Sequence, residues 1–188
     1  MSYSVPKIAG EQDTIVGRSE DHLWSRWEVF VRPRGGVTHV YSESVHAPDA
    51  ETALLNARDT YLRRVEGVSL WVIPEGAISR WDEHQELPRS AAGQDASPRP
   101  LWEAFIRHRR GAQFLHAGSI VAVDARDAIA RARDAFLTKT DGVAIWVAPS
   151  ASIVAADPAE AEMLFEPFAD KGYRQATYYD IPEEVGYM

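Results

Sequence analysis

Hydrophobic and polar positions alternate in "WEVFVRP" (27–33) and again in "THVYSESVHA" (38–47), with the turn residues "RGG" between them. Alternation with period two, rich in β-branched and aromatic residues and broken by glycine, predicts a β-hairpin. The period then changes. Ala50, Ala53, Leu54, Ala57 and Tyr61 recur at helical spacing behind Asp49, whose carboxylate suits an N-cap. Gly67 is expected to stop that helix, and "VSLWVI" (68–73) reads as a third strand. The unit is therefore β-β-α-β, about 50 residues long by this reading of the period.

The same pattern returns 75 residues on. From Trp27 to Pro74 the chain aligns without a gap on Trp102 to Pro149, with 20 of 48 positions identical. "WEVFVRPRGG" answers to "WEAFIRHRRG", and "EGVSLWVIP" (66–74) to "DGVAIWVAP" (141–149). Asp124 repeats the cap, Ala125, Ala128, Ile129, Ala132 and Phe136 repeat the helical face, and Gly142 repeats the stop. A duplicated unit explains this agreement. The predicted fold class is α+β: two tandem β-β-α-β units, each a three-stranded sheet with one helix, forming a pseudo-two-fold pair with an extended aromatic C-terminal arm. The expected boundaries are a flexible segment at 1–23, units at 24–80 and 101–155, a linker rich in Pro, Ser, Ala and charge at 81–100, and a docking arm at 156–188.

The strand pattern leaves one face unaccounted for. Val68, Leu70 and Val72 point one way and Ser69, Trp71 and Ile73 the other; Trp27, Val29 and Val31 oppose Glu28, Phe30 and Arg32. One helix covers one face. The other carries Phe30 and Trp71, or Phe105 and Trp146, rings able to bury roughly 150–250 Å² each. Soluble proteins rarely leave such a patch wet. The copies are expected to pack sheet to sheet, to continue one sheet, or to bind a partner by that face. Glu28 with Arg32, and Glu103 with Arg107, are read as charged rims beside Phe30 and Phe105, and the aromatic tail adds Phe168, Tyr173, Tyr178 and Tyr179 as candidate contacts.

Composition narrows the chemistry. The 188 residues are 45% hydrophobic and contain no cysteine, which excludes disulfides, thiolate metal sites and a cysteine nucleophile. The formal charge of −8 is uneven: residues 24–80 carry seven acids and seven bases, whereas 151–188 carry eight acids and two bases. A neutral middle and an acidic tail argue against nucleic acid. "RHRR" (107–110) is read as a solvated turn. No apolar run is long enough for a membrane span and the start does not resemble a signal peptide, so a cytoplasmic protein is expected. There is no G-x-S-x-G and no glycine-rich strand-to-helix loop. Glu43-x-x-His46 has the spacing of a di-iron carboxylate motif, but that motif needs a helix and further glutamates from other helices. It falls on a predicted strand here. No cofactor and no catalytic residue are expected.

Three long stretches then carry a family resemblance: "WEVFVRPRGGVTHV", "SVHAPDAETALLNARDTYLRRVEGVSLWVIP" and the closing "FEPFADKGYRQATYYDIPEEVGYM". They closely resemble the PaaB family, a component of the phenylacetyl-CoA ring 1,2-epoxidase complex, which is a bacterial multicomponent oxygenase. The first copy matches over nearly all of 24–80, and the second copy with the tail spans what looks like a whole family member. The resemblance implies a small, cofactor-free, non-catalytic protein that bridges a catalytic di-iron oxygenase subunit and its helical companion, with electrons supplied by a separate reductase. It departs from the family in being two units long, so an intramolecular pseudo-dimer is expected where one-unit members would pair. The residues alone leave two other readings open. One is a cofactor-free enzyme with a pocket between sheets, where Glu28, Arg32 or His39 would act on an aromatic metabolite. The other is a ferredoxin-like ligand-binding module.

Overall fold

The computed structural model describes residues 24–62, 67–86, 88, 99–137, 142–156 and 165. The first unit contains β1 (Ser25–Pro33), β2 (Val40–Ala47), α1 (Ala50–Ala57), β3 (Gly67–Pro74) and the short β4 (Ser79–Asp82). The second contains β5 (Leu101–Arg107), β6 (Leu115–Val121), α2 (Ala125–Phe136), β7 (Ala144–Pro149) and the two-residue β8 (Val154–Ala155). The class is α+β, with antiparallel pairing throughout and two α-helices among the described residues.

Each helix starts where a carboxylate can satisfy a free amide. Asp49 accepts from the Thr52 amide at 2.8 Å and Asp124 from the Asp127 amide at 2.8 Å. Beneath α1 the small Ala53 and Ala57 are fully buried, which lets the helix lie close on Trp27, Val29, Val31, Leu70 and Val72. Beneath α2, Ala128, Ile129 and Ala132 meet Trp102, Ala104, Ile145 and Val147. These are the faces read from the alternation. Two details differ. After Ala57 the first helix widens into a π turn, Arg58–Leu62, which still delivers Leu62 to the core at 1% exposure. Gly67 opens β3 rather than closing the helix, and a Cβ there would overlap Leu62, as one at Gly142 would overlap Leu137. Close approach to a packed leucine is therefore what these glycines permit.

The principal correction concerns the number of strands. Each unit has a fourth strand, and it pairs with the other unit. β4 lies antiparallel to β7, with Arg80 opposite Trp146, and β8 lies against β3, with Ala155 opposite Trp71. The stretch expected to be linker from 81 thus begins inside a strand: Trp81 packs against the core under α2, and its indole N–H donates to the Gln85 carbonyl at 3.2 Å. The sheet order is β4-β7-β5-β6-β2-β1-β3-β8, eight strands among the described residues. The halves join where Val40 faces Leu115, the Tyr41 amide donates to the Phe114 carbonyl and the His116 amide donates to the His39 carbonyl, both at 2.9 Å.

β1 and β5 are three strand positions apart in that order, about 14 Å along a flat sheet. Yet the Phe30 and Phe105 rings stand 4.1 Å apart. The sheet therefore folds over on itself, and the faces left bare by the helices close on one another. Of the alternatives left open by the sequence, sheet-to-sheet packing and one continued sheet both occur.

A bulge interrupts each hairpin at the same place, between Val29 and Phe30 and between Ala104 and Phe105. It puts Gly118 at φ 150° in the second copy and Glu43 at φ 98° in the first. For a residue with a side chain that backbone state is strained by roughly 1–3 kcal/mol. Glu43→Gly is expected to raise unfolding free energy by about 1 kcal/mol; a denaturant titration showing no gain would mean the bulge relaxes without cost.

Candidate functional site

The seam between the folded-over halves is the most chemically distinctive region. At its centre Phe30 and Phe105 are fully buried and stacked with 29° between planes, flanked by Ile73, Ile78, Ala144 and Ala148. On either side a second aromatic pair repeats the arrangement with different residues. On one side Trp146 stacks on Phe114 at 4.0 Å, and Tyr41 meets both edge-on. On the other, Trp71 stacks on His39 at 3.6 Å and His116 meets both edge-on. Trp71 and Trp146, expected to face away from their own helices, do so.

Glu28 and Glu103 sit behind these pairs, the first with no exposed surface and the second at 8%. Their partners are not the arginines read from the sequence. Residues four apart on a strand are about 13 Å apart, so Glu28 cannot reach Arg32 or Glu103 Arg107 as they would on a helix. Glu28 instead accepts from the Tyr41 hydroxyl at 2.8 Å and Arg80 at 3.0 Å, with Arg26 at 3.3 Å. Arg26 and Arg80 also reach Glu75, at 3.9 and 3.3 Å. Two acids and two bases thus form a balanced quartet, which offsets the cost of burying the Glu28 charge. Burial first, and then the bond to Glu28, raise the Tyr41 phenol well above its usual range, so it remains a donor.

Glu103 is satisfied differently. It receives His116 Nε2 at 2.7 Å, the Ser119 hydroxyl at 2.8 Å and the Ser150 hydroxyl at 2.7 Å. The His116 bond is the main reason its carboxyl falls to about 2. Position by position, Arg26, Tyr41, Glu75 and Arg80 of the first copy have become Leu101, His116, Ser150 and Ala155 in the second. The signal for Tyr41 lay in a position where the aligned copies differ, and Glu75 and Arg80 lie beyond the aligned stretch.

Beside Glu28 a cavity of about 490 Å³ opens between the halves, lined by the quartet, Tyr41, Glu43, Arg107, Phe114 and Trp146 among others. Arg107, read as a rim charge, lies over Phe114 at 4.9 Å with its Nε buried and without a hydrogen bond. The Nε of Arg32 is in the same condition. Of "RHRR", Arg107 ends β5 and the rest leads into a turn, with Arg110 paired to Glu83. Among the described residues no group of three or more His, Asp or Glu could hold a metal ion, and no helix is long and apolar enough to cross a membrane. Phe168, Tyr173, Tyr178 and Tyr179 lie outside the described residues, although Phe165 packs against the core under α1.

The central stack and the histidine side of the seam give separate expectations. Phe30→Ala and Phe105→Ala should each cost roughly 3–5 kcal/mol. Combined, they should cost clearly less than the sum, because both remove one contact; additive losses in denaturation would show that the rings act independently. His39 is held at about 4, mainly by burial and then by the nearby His116 and Arg32. The unfolded chain therefore takes up this proton first. Its stabilising contribution is full above about pH 6.5, the ordinary value, and fades as pH falls towards 4. His39→Phe, the residue at the matching Phe114, should flatten the dependence of melting temperature on pH between 6.5 and 4; an unchanged slope would assign it to other groups.

Comparison with known proteins fits the duplicated architecture. The family model described as Phenylacetic acid degradation B matches this chain twice, over residues 23–95 and 99–186. The B component of 1,2-phenylacetyl-CoA epoxidase from Escherichia coli (strain K12) is 40% identical over 89 residues, covering 94% of that protein and 47% of this one. No solved structure matches. With both segments together spanning most of its length, the chain belongs to the Phenylacetic acid degradation B family, of which it carries two copies in tandem.

Proposed function

We propose that this chain is a non-catalytic, bridging subunit of a multicomponent epoxidase that acts on an aromatic CoA thioester in the degradation of phenylacetate or a related acid. Its two units form a pseudo-two-fold pair that replaces two separate chains. The observation that carries this reading is the double family match: a relative named as an epoxidase subunit is covered almost whole by half of this chain. The reciprocal exchange of β4 and β8 supports it, because both edge strands are used to hold one copy to the other. Fusion removes the entropy cost of bringing two chains together and lets the copies diverge.

In this reading the partners are a catalytic di-iron oxygenase subunit and its helical companion, in the cytoplasm, and this chain supplies shape rather than chemistry. Phe30, Phe105, Trp71 and Trp146 hold the pair together, so contacts with a partner fall to outer surfaces. Trp24, 60% exposed, and the cross-strand pair Leu101 and Val121 offer apolar area there. The aromatic, acidic segment 166–188 is assigned to docking as well.

Co-expression with an oxygenase subunit encoded beside it should yield a complex that survives size-exclusion chromatography. The chain alone should show no epoxidation of phenylacetyl-CoA, and removal of residues 166–188 should weaken capture by about tenfold or more, as loss of anchoring side chains does. Failure to bind any such subunit, or turnover by the isolated chain, would overturn the proposal.

A further inference from the structure

We propose that the cavity beside Glu28 binds a small, flat aromatic molecule that carries an oxyanion at one end and a hydrogen-bond donor at the other. This goes beyond the bridging role and stands whether or not the chain enters a complex. The volume, about 490 Å³, is in the range of small-molecule sites. Its wall is a four-layer stack: Arg80 lies over Trp146 at 5.0 Å, Trp146 on Phe114 at 4.0 Å, and Arg107 over Phe114 at 4.9 Å. The ring faces are taken up within this stack and Tyr41 stands edge-on to both rings, so what the wall offers is ring edges, against which the face of a planar aromatic partner packs edge-to-face.

The charges of the wall define the ends of the ligand. Glu28 and Glu75 are answered by Arg26 and Arg80. Among the described residues Arg107 has no carboxylate within ion-pair distance, and its Nε is buried without a hydrogen bond. A guanidinium fixed on a ring face with free donors is suited to an oxyanion. Glu43 stands at the exposed mouth of the same cavity, again with no ion pair among the described residues, and its carboxylate is suited to a donor. It is held there in a backbone state that its counterpart reaches only as glycine.

The matching place keeps an arginine, Arg32, whose Nε is likewise buried without a hydrogen bond, but it lacks the other features. Gly118 supplies no carboxylate, Ala155 no guanidinium, and the Glu103 oxygens are taken by His116, Ser119 and Ser150. One site per chain is therefore inferred, a difference that a dimer of identical chains could not hold.

The test titrates the full chain at neutral pH with 4-aminobenzoate, which has both ends, and with benzoate and aniline, which have one each. 4-Aminobenzoate should bind about tenfold tighter than either, the worth of one charge-assisted hydrogen bond. Arg107→Gln should abolish its advantage over aniline, Glu43→Gln its advantage over benzoate, and Arg32→Gln, at the sister position, should leave all three affinities within about twofold. In the wild-type chain the ligand should shift the indole N–H resonance of Trp146, assigned with Trp146→Phe, which keeps the test decisive if Arg107→Gln fails to fold. Absence of saturable binding, equal affinity for the three probes, an unmoved Trp146 resonance, or equal losses from Arg107→Gln and Arg32→Gln would each overturn the proposal.

Discussion

A three-stranded sheet with a single helix has two apolar faces and one cover, and the rest of this structure depends on how the second face is buried. Phe30 in one unit and Phe105 in the other solve the problem for each other. Their stacking at 4.1 Å requires a sheet that is continuous through β2 and β6 and yet folded over. Neither unit can do this alone, since a sheet of that size has no second layer to fold against. The exchanged strands follow from the same need. β4 and β8 cap the exposed edges of β7 and β3, which would otherwise present unpaired backbone groups to solvent or to other chains. Because the exchange is reciprocal, separating the halves would uncover two edges and two aromatic faces at once.

The seam also shows what duplication within one chain permits. In a dimer of identical chains the two wings would be forced to match. Here Trp146 stacks on Phe114 and Trp71 on His39, and the two buried carboxylates are neutralised by different means, one by guanidinium groups and a phenol, the other by an imidazole and hydroxyls. The second solution carries fewer charges. The first is more polar and leaves an opening. The pair thus holds two unlike sides, one of which borders a cavity, without loss of the stack that joins them.

Most of the architecture was legible in residues 27–74 and 102–149 because period and identity reinforced each other there. The alanine stripes at Ala53 and Ala57 and at Ala128 and Ala132 marked the helix faces, Asp49 and Asp124 marked the caps, and the alternation placed Trp71 and Trp146 on the side away from the helix. β4 and β8 escaped because strands of four and two residues carry too few positions for a period, and because their pairing is set by the other unit. The ion pairs escaped for a different reason. Spacing along the chain says which residues share a strand face, as Arg26 and Glu28 do, but the other partners of Glu28 come from residues 41 and 80, gathered only after the sheet folds.

The strained bulge residue ties these points together. A bulge at the same place in both copies bends β2 and β6 just before they meet, and that bend is what lets the sheet turn back on itself. Glycine is the unstrained residue for such a position, and the second copy has it at Gly118. The first copy has Glu43, which gains nothing for the bend that glycine would not supply better. Its side chain lines the same cavity as Arg107, whose Nε has no hydrogen-bond partner among the described residues. Strain accepted at a position where the sister copy has glycine is in keeping with the proposed need for a carboxylate in that cavity, on one side of a seam to which both halves contribute.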